Sequence, residues 1–592
     1  MKHSLFRKTL SVLLCAVLVA LCVVPAFADD TKANHPILYV EGFNGAPLYK
    51  NGTEKVFMPD ASDLSGTITS LITTLLKFSG QKNIAKLKGD INGEAAAYDD
   101  FIDAIIDAVG GVFGKFACDK NGEPIEDGID VLDVDRFGNC NKIDESNIKE
   151  AVIRETGIEL GKDMVYYFTY DWRLSLIDTA AKLNDAIEQI KAETGYDKVS
   201  LVGMSMGGAL INTYTTIYGY GSVCNLTMSS SAFKGLQYIG EIFNGQTEID
   251  GDLLADLIDD FLADNVSLSD LLSYSNLYAT LLDDVNTAIK YDTEGTSALG
   301  ASAEDATEPK NKIKNDILIP YFAYLPGLWT FVPEEYYDSA VDYVFGAGGR
   351  LGESALYIAK LDTYHLIQMN AETNLRRAMR NGVTVTVVSH YNTHIAPVTP
   401  VSKNLTGDVT IETVGTSGGA TTAPIGEIFA DDYQQAKYPE KNYMSPDWMI
   451  DASTCMFPDQ TWFIKDMKHM EFDPKEEGNN CDLFIWLANA TEQYTIDSNE
   501  LYPQFLLYDR ELKRLSCFYM DGDVNYDEDI TLIDVRKTMR LANGLDELNV
   551  NLEAPADMNR DKQVTDEDAN QILDWVVMSQ SLDYLPEVEY ED

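Results

Sequence analysis

Short apolar runs alternate with stretches of helical periodicity along much of this chain. Residues 35–40 are a compact apolar run, and the turn Glu41-Gly42-Phe43-Asn44-Gly45 follows. Residues 165–168 and 198–202 are two further apolar runs, and residues 383–388 and 460–464 continue the series. Between the second and third, Ile177, Ala181, Leu183, Ile187 and Ile190 recur at roughly helical spacing, which predicts a helix over 176–194. Another helix is expected from Gly207 onward. Strands that are apolar throughout and separated by helices predict a parallel sheet covered on both faces. Residues 240–345 break the rhythm. There Leu253/Leu254, Leu257/Ile258 and Phe261/Leu262 repeat every four residues among aspartates, as on an amphipathic helix, and a proline-bounded apolar stretch covers 325–333. This block reads as a helical cap inserted into the sheet domain.

At 592 residues the chain exceeds what one hydrophobic core serves, so at least two domains are expected. Lys2, Arg7 and Lys8, an apolar run over 10–24, and Ala26-Phe27-Ala28 before two aspartates read as a cleaved secretory leader, residues 1–28. No later segment is apolar and long enough to span a bilayer. The net charge of -50 repels nucleic acid and anionic membranes and suits a secreted, soluble or cation-binding protein. Six cysteines lie beyond the leader. Spacing does not choose among their fifteen pairings, although a local Cys118–Cys140 bridge is plausible.

Gly203-Met204-Ser205-Met206-Gly207 has the G-x-S-x-G pattern. Its setting between an apolar strand and a helix is that of a nucleophile elbow, with Ser205 as nucleophile. Gly415-Thr416-Ser417-Gly418-Gly419 has the same spacing, but the alternating residues before it and Pro424 after it read as a loop. A serine hydroxyl needs a base. Of six histidines, His469 lies after the last chemistry-bearing strand, whereas His390 and His394 come early for the order serine, acid, histidine. The acid is sought between elbow and histidine, where Asp447, Asp451 and Asp459 are candidates.

The C-terminal part contains a repeated acidic loop. Asp523, Asn525, Asp527, Thr531 and Asp534 stand at positions one, three, five, nine and twelve, with Asp529 at seven offering its backbone carbonyl. Asp557, Asn559, Asp561, Thr565 and Asp568 repeat the spacing, with Gln563 at seven. Loops of this kind wrap a hard cation in oxygen ligands, so two structural Ca2+ ions are expected, each loop leading into a helix.

Together these motifs resemble the lecithin:cholesterol acyltransferase and lysosomal phospholipase family of α/β-hydrolases. Tyr170-Asp171-Trp172-Arg173 is identical to that family's YDWR signature, Ser231-Ala232-Phe233-Lys234-Gly235 resembles its segment after the next strand, and Asp447-Trp448-Met449-Ile450-Asp451 is similar to its acid loop. Glu41 and Trp448 depart from the family's proline and glycine. The resemblance implies an α/β-hydrolase fold over 29–515, a Ser205-Asp447-His469 triad, and an oxyanion hole from the amides of Phe43 and Met206. The repeated loops resemble a type I dockerin over 516–592. This implies attachment to a cohesin domain on a scaffolding protein, with Leu532-Ile533 and Asp566-Glu567 at the positions that face it. The expected activity is cleavage or transfer of acyl esters by a lipase, phospholipase or acyltransferase. The alternatives are an esterase acting on plant polysaccharide acyl groups, and a non-catalytic scaffold-bound module.

Overall fold

The computed structural model describes residues 33–43, 45–57, 61–141, 150–250, 275–302, 304, 306–346, 348–475, 477–526 and 529–582. The leader, Asp527 and the repeated leucine pairs of 253–262 lie outside them.

The centre of the molecule is a nine-stranded sheet. In chain order its strands are β1 (Ile37–Val40), β2 (Phe137–Asn139), β3 (Val165–Phe168), β4 (Val199–Met204), β5 (Val223–Ser229), β6 (Thr384–Tyr391), β7 (Thr461–Lys465), β8 (Phe505–Asp509) and β9 (Arg514–Cys517). Across the sheet the order is β9-β8-β7-β6-β5-β4-β1-β3-β2. The strands from β8 to β3 in that order pair in parallel, and β9 and β2 pair antiparallel at the two edges. All five apolar runs of the sequence are strands of this sheet. Every residue of β1, β3, β4 and β6 is buried, as expected for strands covered on both faces.

Helices α1 (Leu176–Thr194) and α2 (Met206–Tyr218) follow β3 and β4. Ser175 caps the first through a hydrogen bond from Ile177 N, and Gly195 ends it in a left-handed conformation. Leu183, Ile187 and Ile190 turn its apolar stripe into the core on one face of the sheet. A second core on the other face holds Tyr39, Tyr167, Trp462 and Phe484. Cys118 lies in the first core and Cys140 in the second, so the plausible local bridge between them does not form.

The chain leaves the sheet between β5 and β6 for a helical block, but this block is not built from that insertion alone. A helical hairpin, Ala61–Lys88 and Ile91–Phe113, departs between β1 and β2 and packs against Ser275–Glu294. Phe78, Tyr98, Phe101 and Tyr291 form its core, with a buried Lys82–Asp284 ion pair beside it. The sequence hid this arrangement because two distant segments share one small core.

The YDWR segment joins the cap to the sheet. Arg173 is fully buried and forks onto Asp171, with Nη2 2.6 Å from Oδ2 and Nε 2.9 Å from Oδ1, and also donates to the Ile129 carbonyl at 3.0 Å. The Arg173 carbonyl accepts Gly327 N from the cap, and a Cβ at Gly327 would lie 1.8 Å from the Trp172 carbonyl oxygen. Removing one member of a buried pair leaves the other charged and uncompensated. Arg173→Met should therefore cost about 3–5 kcal/mol in the main unfolding transition, measured by urea denaturation. Asp171→Leu combined with Arg173→Met should recover much of that loss; no recovery would show that the arginine acts through its carbonyl contacts rather than through the ion pair.

Candidate active site

The strand-turn-helix around Ser205 folds as its glycines require. Ser205 stands between β4 and α2 with φ 53° and ψ -124°, a region that non-glycine residues rarely enter. Its amide donates to the Ser229 carbonyl at 3.1 Å, and its carbonyl accepts Ala232 N at 3.0 Å and Gly208 N at 3.1 Å. The turn is pressed against the loop after β1. A Cβ at Gly207 would lie 2.0 Å from the Val40 carbonyl oxygen, and one at Gly42 would lie 2.5 Å from Ser205 Cβ and 3.1 Å from its Oγ. Only hydrogen fits at either position. Residue 43, whose amide was expected in the oxyanion hole, follows directly on this contact. Phe43 rests on Trp172 of the YDWR segment, ring centroids 4.4 Å apart, and on Phe331 of the cap at 6.1 Å. Met206, the other expected donor, is the first residue of α2 and is fully buried.

His469 follows β7 by four residues. Its Nδ1 lies 2.8 Å from Oδ2 of Asp408, and its amide donates to the Asp408 carbonyl at 2.7 Å. Asp408 is fully buried, and its Oδ1 accepts Thr410 N at 3.0 Å and Ile411 N at 2.7 Å. Burial alone would raise its pKa, but His469, His390 and the Ile411 amide outweigh that and hold the carboxyl below the usual range.

The expected acid, Asp447, is corrected on this geometry. Its Oδ2 faces Lys465 Nζ at 2.9 Å and Tyr391 Oη at 3.2 Å, so the carboxylate is taken by a lysine and a phenol. The alternatives are occupied as well. Asp451 Oδ2 accepts Tyr433 Oη at 2.9 Å and Ala436 N at 2.8 Å, and Asp459 pairs with Lys441 and Tyr443. The 445–450 segment is a turn in which Ser445 Oγ accepts Met449 N and Ile450 N, with Trp448 at φ 58° and exposed. Asp408 lay in view in the sequence, in the alternating stretch before the second G-x-S-x-G. That stretch forms no strand of the main sheet, whereas Asp447, Asp451 and Asp459 stand just before β7. The usable signal was an acid in the long connection after β6. The second G-x-S-x-G is not an elbow: Ser417 ends the four-residue helix Thr413–Thr416 and receives Ala420 N on its hydroxyl.

His390, at the end of β6, bridges the two halves. Ser230 Oγ, next to the acceptor of the Ser205 amide, lies 3.3 Å from His390 Nδ1, and His390 in turn faces Asp408 and His469. Its complete burial lowers its pKa to about 4, against the opposing pull of Asp408, so it is neutral at physiological pH. Ser205, Ser230, Asp408 and His469 thus stand on connections after parallel strands, and His390 at the carboxyl end of one.

The C-terminal loops lead into helices α3 (Leu532–Ala542) and α4 (Asp566–Leu582), which share a core of Val524, Val535, Leu541, Ala556, Ile572 and Val576. They repeat in detail. Asp534 Oδ1 accepts Val524 N and Asn525 N at 3.0 and 3.1 Å, while Oδ2 accepts Thr531 N at 2.9 Å. Asp568 does the same with Met558 N, Asn559 N and Thr565 N at 3.0, 3.3 and 2.8 Å. Position four has positive φ in both loops, at Tyr526 and Arg560. In the second loop Asp557 accepts the amides of Asp561 and Lys562, Asn559 Oδ1 also accepts Asp561 N, and Asp561 accepts Gln563 N. The backbone is therefore curled around the carboxylates in the manner of a cation loop. Among the described residues, however, no three His, Cys, Asp or Glu side chains converge as a ligand cage. The fit lies in the donor set and loop frame.

Among the described residues no helix is long and apolar enough to cross a membrane. No protein-family model and no curated protein matches the chain. Among solved structures, the crystal structure of the Tle4–Tli4 complex aligns with 77% of this chain and 97% of its own at 13% identity, with a TM-score of 0.28. A likeness so slight carries no argument about function.

Proposed function

We propose that this chain is a serine hydrolase that cleaves or transfers acyl esters, with Ser205 as nucleophile, His469 as base and Asp408 as the acid that orients it. The observation that carries the reading is the pairing of buried Asp408 with His469 at 2.8 Å, on the same end of the sheet as a serine held at a strained elbow. In this reading His469 Nε2 takes the Ser205 proton as Oγ attacks the ester carbonyl. Asp408 accepts a hydrogen bond from the Nδ1–H, fixes the tautomer and, remaining ionised, stabilises the imidazolium that forms. The amides of Phe43 and Met206 receive the charge on the tetrahedral oxygen, and water or an alcohol then resolves the acyl-enzyme. With Asp408 beside His469, the unusual Asp447 loop no longer favours an inactive module. The leader pattern of residues 1–28 supports an extracellular location in this reading.

The test is labelling by a fluorophosphonate probe together with hydrolysis of p-nitrophenyl esters of increasing chain length. Ser205→Ala should abolish both. Asp408→Asn should lower kcat by about 10⁴-fold, the loss seen when a triad aspartate is amidated elsewhere, while Asp447→Asn leaves the rate unchanged. Full activity in Asp408→Asn would remove the triad as assigned. A long-chain optimum identifies a lipase or phospholipase, and an acetyl optimum identifies the carbohydrate esterase.

We propose further that the repeated loops bind calcium and that the module they support docks to a cohesin domain. The matching hydrogen-bond pattern of Asp534 and Asp568 supports the first part. Support for the second is that Leu532 and Ile533 point outward, each 60% exposed. Loaded calcium would hold both loops closed through Asp523, Asn525, Asp527 and Thr531, and through Asp557, Asn559, Asp561 and Thr565, with the carbonyls of Asp529 and Gln563 and with Asp534 and Asp568. Calorimetric titration should find two calcium sites, and Asp561→Ala should remove one of them. Two sites of undiminished affinity in that variant would place the second ion elsewhere.

A further inference from the structure

Ser205, Asp408 and His469 stand on three separate segments, and one buried residue touches all three. His390 lies near the end of β6, in a strand that is otherwise apolar or hydroxylic, and it is fully buried. A buried imidazole has two nitrogens to satisfy, so its polar surroundings carry information.

On the nucleophile side, Ser230 Oγ lies 3.3 Å from His390 Nδ1. Ser230 stands between Ser229, whose carbonyl holds the Ser205 amide, and Ser231, whose hydroxyl donates to the Gly203 carbonyl at 2.8 Å. Its φ of 41° is one that a serine keeps only where the surroundings hold it, and its amide is tied to the Val388 carbonyl at 2.9 Å. On the acid side, the His390 carbonyl accepts Thr413 Oγ1 at 2.8 Å, and the same hydroxyl lies 3.1 Å from the Thr406 carbonyl. Thr406 and Thr413 bracket Asp408, whose carboxylate faces the ring. On the base side, the backbone of Lys468, the residue before His469, faces the ring as an acceptor. Nε2 is buried and makes no other hydrogen bond of good geometry. A carbonyl only accepts, so the ring presents N–H towards Lys468. A neutral ring then has Nδ1 left as acceptor, which the Ser230 hydroxyl fills by donating.

We propose that His390 is a positioning residue: through Ser230 and Lys468 its ring ties the nucleophile turn to the base loop, so that Ser205 and His469 keep one alignment. It does not touch the reacting atoms. This assignment rests on the Ser205-His469-Asp408 reading above. A ring of similar shape without nitrogens would fill the same space and leave the two segments unlinked.

Steady-state kinetics on a p-nitrophenyl ester, counted per serine titrated by the fluorophosphonate probe, tests the assignment. His390→Phe should lower kcat by about tenfold or more with KM unchanged, since a misplacement of about 1 Å costs about 10²-fold. His390→Gln, whose amide both donates and accepts, should recover most of that loss. Ser230→Ala removes the Nδ1 partner and leaves the ring, and should lower kcat by less, again at constant KM. Wild-type kcat in a folded His390→Phe protein would overturn the proposal and leave the triad standing. So would a loss equally large in His390→Gln, the mark of a packing role. If His390→Phe does not fold, unchanged kcat in Ser230→Ala would do the same. A wild type that neither labels nor turns over any ester is the separate case in which the hydrolase reading falls and takes this assignment with it.

Discussion

The packing of two turns against each other governs the site. The Val40 carbonyl and the Gly42 backbone come so close to the serine turn that positions 42 and 207 admit no side chain. That contact brings the Phe43 segment over Ser205 and holds the serine in a backbone conformation it would not adopt alone. The strain is sustained by hydrogen bonds on both sides of the residue, from Ser205 N to Ser229 and from Ala232 and Gly208 to the Ser205 carbonyl. The Trp172 ring then braces Phe43 from the side, and the buried Arg173–Asp171 pair fixes Trp172 against the cap. The YDWR signature thus reads physically as a brace for the loop over Ser205.

In a chain with 95 acidic residues, an aspartate near a histidine is cheap and proves little. What separates Asp408 from Asp447, Asp451 and Asp459 is the partners each carboxylate has. Asp447 and Asp459 face lysines, and Asp451 caps a local turn, so each already has its charge or lone pairs satisfied by structure. Asp408 receives two amides on one oxygen and leaves the other to His469. Amide donors keep it ionised without neutralising it, which is what an orienting acid requires.

Legibility in the sequence followed this physics. The strands could be read because burial on both faces makes them apolar throughout, as in Val199–Met204 and Thr384–Tyr391. The elbow could be read because steric exclusion leaves glycine as the sole choice at Gly207. Among the six histidines, position shortly after β7 marks His469. Asp408 carries no such mark: its amide donors are its neighbours Thr410 and Ile411, but its burial comes with the fold and its histidine from 61 residues away. The joint cap core was hidden for the same reason, since Tyr98 and Tyr291 meet only in the folded chain.

The same distinction bears on how the C-terminal module meets the sheet. Arg514 of β9 is buried and reaches Asp557, the first residue of the second loop, at 3.3 Å, and Glu553 at 3.5 Å. Arg560 of that loop pairs with Asp509 of β8 at 3.3 Å, and Lys562 donates to the Glu477 carbonyl at 3.1 Å. The second loop is therefore seated on the sheet edge through its own basic residues and its own first carboxylate. In the calcium reading, Asp557 is shared between an ion and a guanidinium in a buried setting, where both act on one carboxylate at low dielectric. Any cation at Asp557 would be coupled to the main sheet, because Arg514 belongs to the strand at its edge. Two loops with nearly identical spacing are thus placed in unequal electrostatic surroundings by one arginine of the neighbouring fold, a difference that no alignment of the two repeats would reveal.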